Sequence, residues 1–362
     1  MIFGANSADL LYSRLLEKNS CEGVREMLVL SSDNIPFVSC IIVMYNEEHY
    51  VEDCLLSLLA QDYPQERYEI IVVDGGSNDR SRDIVEKHMD GTGKIRLIDN
   101  PERILAAGWN KGIKEARGSI VVRPDAHSYV SNDFITKSVR TLNAIHDAVC
   151  VGGRLISVHR GGVMSEAIAS VLSSRFGVGN SCFRVSNKPG YVDTVAYGAY
   201  RKEIFGSAGL FNEKLQRNQD LEMHSRIRAL GGRFYFNPEI KSYYYTRATL
   251  KGFVKQALGN GYWNIITLRW SKTALSLRHL VPCVFVLTLL SNAVLSCYFG
   301  FAAYLLAIEV SLYFFLSFFS SLRIGRNRGW FLVAPTFALF FVLHISYGIG
   351  SLAGMVGFPF YE

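Results

Sequence analysis

No CxxC pair or other short metal-ligand spacing occurs among the seven cysteines, at 21, 40, 54, 150, 182, 283 and 297. The count is odd and several of them sit in apolar runs. That argues against a disulfide framework and for reduced thiols, packed as small hydrophobes in a cytosol-facing protein. Glycine-rich phosphate motifs are lacking too. Asp74-Gly75-Gly76 is followed by no Gly-Lys-Ser/Thr, so it is not a P-loop. It is not a Gly-x-Gly-x-x-Gly fingerprint either, which disfavours a dinucleotide fold. The net charge of +6 is not gathered into a stripe, so no nucleic-acid partner is expected. Anionic neighbours such as a membrane leaflet or a phosphorylated substrate fit it better. Met1 to Leu10 has no basic n-region and no long apolar core, and no signal peptide is expected there. Charge itself almost vanishes beyond residue 278. Leu280 to Leu322 carries Glu309 alone, and Phe331 to Phe358 carries no Asp, Glu, Lys or Arg.

The first part of the chain reads as alternating strands and helices. Phe37 to Met44 is an apolar, strand-like run closed by Tyr45-Asn46-Glu47-Glu48. Val51, Cys54, Leu55, Leu58 and Leu59 then repeat at helical spacing. Tyr68 to Val73 is a second strand running into Asp74-Gly75-Gly76, where the glycines permit a tight turn close to a ligand. Ser77, Asn78 and Asp79 can cap the next helix. Ile95 to Ile98 is a third strand, and Trp109 to Ala116 a helix with Gly118 as its expected C-cap. Ser119 to Val122 is a fourth strand, stopped by Pro124. This β-α-β-α-β-α-β series predicts an α/β fold with a mostly parallel sheet and helices on both faces. Ligands bind off the carboxyl ends of such strands. Arg123-Pro124-Asp125-Ala126-His127 lies at one such end. Asp125 and His127, two residues apart in extended backbone, project to the same side and supply a carboxylate and an imidazole. A solvated turn is the plain alternative for the pentapeptide alone.

Val38 to Glu48, Asp74 to Asp79 and the Asp125-Ala126-His127 triplet, in that order, resemble the GT-A fold of family 2 glycosyltransferases. The resemblance covers roughly residues 36 to 270. It implies that Tyr45, Glu47, Asp74, Arg123 and Asp125 bind a nucleotide-sugar donor, with Asp74 at the base. It also implies a divalent metal, Mn²⁺ or Mg²⁺, on the donor diphosphate. The family's Asp-x-Asp is Asp125-x-His127 here, and imidazole suits Mn²⁺ better than Mg²⁺. Asp193 to Lys202 is similar to a segment of succinoglycan-type β-glucosyltransferases, a membrane-linked branch. Where the family carries a Glu-Asp pair this chain has Gln219-Asp220, which makes Asp220 the implied catalytic base. A simple helix N-cap is the competing reading at that position. Asp193, Gln219 and Trp263 are the candidate acceptor contacts, Asp193 reading equally as a surface acid and Trp263, which could stack on a sugar, equally as an aromatic at the membrane interface. Gly177 to Gly190, flanked by Arg175, Arg184 and Lys188, is expected to be a mobile loop beside the cleft.

Three parts follow: a helical lead-in at 1–35, a cytosolic GT-A domain at 36–278, and about three transmembrane helices at 279–362. Residues 280–322 are long enough for two spans and 331–358 for a third. The basic loop Arg323 to Arg328 belongs on the cytoplasmic side. Glu309 and His344 would be intramembrane ionisable groups, paired across spans or, for Glu309, near a wet helix end. The expected activity is inverting, metal-dependent transfer of a hexose, glucose by resemblance, from a UDP-sugar to a lipid-linked saccharide at the inner membrane, as in exopolysaccharide assembly. A polyprenyl-phosphate sugar synthase and a non-enzymatic membrane scaffold or transport protein are the alternatives.

Overall fold

The computed structural model describes residues 35–358, so the expected lead-in helix lies outside the described residues. The described chain begins with β1 (Val38–Met44), α1 (Val51–Leu59), β2 (Tyr68–Asp74), α2 (Ser81–Lys87), β3 (Ile95–Asp99), α3 (Leu105–Glu115) and β4 (Ile120–Val122). These strands lie in the order β3-β2-β1-β4, all parallel. β2 is buried along its whole length, as a strand covered on both faces must be. One helical layer packs Val51, Leu55 and Leu58 on one face of the sheet. Ala106, Trp109 and Ile113 cover the other.

Beyond β4 the sheet turns mixed. The next elements are β5 (Ser128–Val130), α4 (Phe134–Ala144), β6 (Ala148–Val158), α5 (Val163–Leu172), α6 (Arg175–Val178), α7 (Cys182–Val185), β7 (Gly190–Val192), β8 (Ala199–Arg201), α8 (Ile204–Ala208), α9 (Gln219–Ala229), β9 (Arg233–Tyr245) and α10 (Leu250–Thr267). β8 runs antiparallel to both β4 and β6, and β5 and β7 run antiparallel to β9. The expectation of a mostly parallel sheet therefore holds for the first half only. Gly118 also differs from expectation. The preceding helix ends at Glu115 with Ala116 as its C-cap, and Gly118 instead lets the chain approach β1. A Cβ there would stand 2.6 Å from the Ser39 nitrogen and 2.7 Å from the Phe37 carbonyl.

Three helices close the chain: α11 (Val281–Leu295), α12 (Gly300–Arg328) and α13 (Val333–Gly357). The last two are long and apolar enough to cross a membrane. α11, with 15 residues, rises only about 22 Å, short of a ~30 Å hydrocarbon core. The basic residues Arg323 to Arg328 are the last turns of α12, not a loop. Glu309 and His344 do not pair with each other. Glu309 accepts from Thr288 (2.6 Å) and Asn292 (3.1 Å) of α11, and His344 meets the Tyr313 hydroxyl of α12 at 2.9 Å. Each polar group thus finds its partner on a neighbouring helix.

α13 lies along the α/β domain. Leu339, Phe340 and Leu343 pack with Ala167, Ile168 and Val171 of α5 and with Phe253 and Ala257 of α10. Gly350 and Gly261 let α10 and α13 touch backbone to backbone, since a Cβ on either would collide with the Leu258 or Tyr347 carbonyl. Arg328, just before α13, reaches Ser170 on α5 (3.4 Å). At the far end Arg269 donates to the Phe358 carbonyl (2.9 Å). Both ends of α13 therefore touch the domain.

Candidate active site

The polar turns after β1, β2 and β4 meet at one edge of the sheet. The first two are stitched together. The Asn46 amide donates to Ser77 Oγ (3.0 Å), the Glu47 amide to Ser81 Oγ (2.7 Å) and the Glu48 amide to Asp79 Oδ2 (3.1 Å). Asp79 also accepts from the Ser81 amide (2.9 Å), but the N-cap of α2 is Arg80, one residue past the expected Ser77 to Asp79, and it makes no side-chain capping bond. Asn46, at φ 55°, is in the left-handed region. Such conformations in non-glycine residues cluster at functional sites.

Tyr45 is exposed at this edge, 5.6 Å from the Arg103 guanidinium. Asp74 is only 1% exposed. Its carboxylate accepts from Ser77 Oγ (2.6 Å) and the Ser77 amide (3.1 Å) and lies 3.5 Å from Arg82. Glu47 Oε1 stands 3.2 Å from His127 Nδ1. Burial opposes a charge on His127, but the Glu47 hydrogen bond and the Asp125 carboxylate outweigh it and raise its pKa. The His127 ring meets Tyr244 edge-on at 5.1 Å.

Asp125 and His127 are a hard carboxylate and an imidazole at the end of a sheet strand, with Glu47 beside the imidazole. The buried Tyr197 hydroxyl makes no hydrogen bond among the described residues and lies in the field of Asp125. No group of three or more His, Cys, Asp and Glu side chains able to hold a metal occurs among the described residues. The set fits a divalent cation that draws part of its shell from a bound diphosphate, as Mg²⁺-type sites do.

Arg123 joins this edge to the second half of the domain. Its guanidinium lies 4.8 Å from the ring centroids of both Trp109 and Phe211, and its Nη2 is 4.0 Å from Asp220 Oδ2. Burial works against its charge, yet Tyr200, Asp220 and Asp125 hold it firmly protonated. Behind it, buried His224 bonds Thr194 (2.8 Å) and Tyr200 (2.6 Å). Burial first and Arg123 second push its pKa well down, so it is neutral. The Arg123 Nε is buried without a partner.

Asp220 sits in the first turn of α9 with its side chain 37% exposed. The helix N-cap is Asn218, at φ 62°, whose side chain makes no capping bond and donates to Asn264 instead (2.6 Å). Asp220 Oδ1 accepts only the adjacent Leu221 amide among the described groups (2.9 Å). Asp220 opens into a cavity of about 560 Å³. Its walls come from α6, α7, α10 and all three C-terminal helices, through Phe176, Arg184, Asn260, Arg278, Phe285, Tyr313 and Leu343. The segment expected as a mobile loop therefore supplies part of this wall as two short helices.

The three implied acceptor contacts fare differently. Gln219 is buried and donates to the Leu215 carbonyl (2.9 Å), away from the cavity lining. Trp263 is buried with Leu215 and Ile266. Asp193 is exposed, and its carbonyl accepts from Arg228. Sequence reasoning did not single out Tyr197, Tyr244 or Arg278. The last is the final cation before the apolar run, which was its one visible signal.

Comparison with known proteins gives this arrangement a family. The model described as Glycosyl transferase family 2 matches residues 39–206. A Methanococcus voltae protein named dolichyl N-acetyl-alpha-D-glucosaminyl phosphate 3-beta-D-2,3-diacetamido-2,3-dideoxy-beta-D-glucuronosyltransferase is 34% identical over 264 residues. That alignment covers 70% of this chain and 80% of the relative. Succinoglycan biosynthesis protein ExoA of Rhizobium meliloti is 26% identical over 258 residues, covering 70% and 77%. In fold, the chain is similar to a mannosyltransferase of Pyrobaculum calidifontis solved with GDP-Man and Mn²⁺. The TM-score is 0.57 at 18% identity, over 86% of this chain and 87% of the other.

Proposed function

The chain belongs to glycosyltransferase family 2, and we propose that it is an inverting, metal-dependent hexosyltransferase that extends a lipid-linked saccharide at the cytoplasmic face of the inner membrane. Family membership removes the scaffold and transport reading. The observation that carries the proposal is the position of Asp220. It stands between Arg123 at the sheet edge and a cavity walled by the C-terminal helices. The relative from M. voltae is named for transfer involving a sugar on a dolichyl phosphate, which fits such a cavity.

In this reading Tyr45, Glu47 and Asp74 seat the nucleotide of a UDP-sugar. Arg123 lies beside the reacting centre and fixes the Asp220 carboxylate. Asp125 and His127 would hold Mn²⁺ or Mg²⁺, whose charge offsets that of the leaving diphosphate. An acceptor hydroxyl is a poor nucleophile, and Asp220 takes its proton. Attack on the face opposite the diphosphate inverts the anomeric centre. The catalytic domain spans 36–278 and the membrane region 279–362. The test is a screen of nucleotide-sugars for UDP or GDP release with a lipid extract as acceptor. No release with any of them contradicts the reading.

Two further outcomes follow. Asp74→Ala should weaken free UDP by about 1–3 kcal/mol, the usual effect of losing a buried polar partner. A titration with UDP checks it, and unchanged affinity makes Asp74 a turn residue that serves Ser77 and Arg82. The second concerns topology. α12 and α13 are the two helices long enough to cross, yet both ends of α13 touch the domain, so in this reading α12, with the shorter α11 and residues 296–299, forms the membrane hairpin and α13 stays against the domain. Three spans, as expected from the apolar stretches alone, would run out, back in at Arg323 to Arg328 and out again, and would leave the end of the chain outside. A cysteine at Arg326 and one appended after Glu362 should both be labelled by an impermeant maleimide from the cytoplasmic side. Labelling of the appended cysteine from the outside alone restores a third crossing.

A further inference from the structure

The cavity beside Asp220 carries more positive charge than the reaction so far described uses. Arg175, Arg184 and Arg278 all line it. None of the three is ion-paired with a carboxylate among the described residues. Asp220 is the one carboxylate in the cavity lining, and its near cation is Arg123. Among the described residues Arg184 donates to the Ser157 hydroxyl (3.1 Å) and lies 5.8 Å from the Phe183 and Tyr244 ring centroids. Arg278 reaches only the backbone and side-chain oxygens of Asn180, each at 3.4 Å. It lies over Gly179, where a Cβ would come within 3.4 Å of its own side chain. Arg184 and Arg278 are half-buried and Arg175 is exposed; guanidinium groups so placed without counter-ions are suited to phosphate, which they bind through parallel N–H donors.

The same cavity has an apolar side. Phe285 of α11 and Leu343 of α13 line it, and α11 leaves Val284, Leu287 and Leu290 exposed on its outer side. A free anion needs no such surface; an anion on a hydrocarbon chain does. Asn260, also in the wall, provides an amide suited to sugar hydroxyls, its Oδ1 accepting from Arg217 (2.9 Å).

We infer that Arg278, with Arg175 and Arg184, seats the phosphate of an acceptor carried on a long apolar chain, which runs along Phe285 and Leu343 while its sugar reaches Asp220. This rests on the reading of the acceptor as lipid-linked. It adds where the phosphate sits and which side chains select it.

The test is binding to the full-length, detergent-solubilised protein, with farnesyl phosphate, farnesol and inorganic phosphate as probes. Farnesyl phosphate should bind the wild type more tightly than farnesol, and millimolar inorganic phosphate should not displace it. Arg278→Gln should weaken farnesyl phosphate by about tenfold to a hundredfold, as expected for losing charge-assisted hydrogen bonds, and leave farnesol unchanged. UDP affinity serves as the check on folding. If Arg278→Gln does not fold, Arg175→Gln should show the same selective loss, and Arg278→Lys a smaller one. Equal binding of farnesyl phosphate and farnesol, or unchanged binding in the folded variants, overturns the inference. Ready displacement by inorganic phosphate also overturns it, since the site then takes a free anion. No turnover is needed for this assay. A protein that binds farnesyl phosphate but extends no lipid-linked saccharide contradicts the proposed function and not the phosphate seat.

Discussion

Asp220→Asn should lower turnover by roughly 10²–10⁴-fold, the usual worth of a positioned general base. The substitution is nearly isosteric. The amide oxygen can still accept from the Leu221 amide, as Asp220 Oδ1 does at 2.9 Å. It cannot take a proton from an acceptor hydroxyl. UDP affinity should hardly change, because Asp220 faces the acceptor cavity. A purely structural role predicts another result. Asn caps helices as well as Asp does, and the N-cap position here belongs to Asn218 in any case. A polyprenyl-phosphate acceptor predicts a small effect as well, since its phosphate oxygen arrives deprotonated. Single-turnover transfer at saturating donor and acceptor separates these readings. A fall of less than tenfold in a normally folded variant removes Asp220 as the base.

The second large effect is expected at the sheet edge. Asp125→Ala should reduce donor binding to its metal-free level, because His127 alone does not hold a hard cation. His127 is further committed to Glu47 at 3.2 Å, which leaves Asp125 as the essential oxygen donor of the pair. The wild type should lose activity in chelator and regain it with Mn²⁺, and more fully than with Mg²⁺ because of the imidazole. Calorimetric titration of UDP with and without Mn²⁺, on both proteins, checks this. Full activity in chelator removes the metal role from both residues.

The first half of the fold was legible because its signals are local. β1, β2 and β4 are short β-branched or aliphatic runs, each ended by a polar turn, and parallel order follows from the helices between them. Parallel strands ending in such turns place Tyr45, Asp74 and Asp125 on one edge of the sheet. The second half was not legible, because its order depends on non-local pairing. β8 has three residues, too few for a periodic signal, yet it sits between β4 and β6 and reverses the sheet direction. Gly118 was misread for a related reason: its constraint comes from β1, some 80 residues earlier. The Arg123–Asp220 contact joins residues 97 positions apart, and only the family resemblance named both in advance. In the membrane region, hydropathy located the apolar stretches but did not reveal that α13 docks on α5 and α10. The glycines that permit that contact look the same in sequence as those in any apolar helix.

The central claim is that this enzyme adds one sugar to a lipid-linked saccharide with inversion. It is tested most directly by incubating the purified protein with UDP-sugars, Mn²⁺ and a lipid extract, then reading the lipid fraction by mass spectrometry and the new linkage by NMR. The account predicts a lipid-linked saccharide heavier by one sugar residue, with the anomeric configuration opposite to that of the donor, and little such product from Asp220→Asn. A product with the donor's configuration, or sugar attached directly to the lipid phosphate at an undiminished rate in Asp220→Asn, would contradict it.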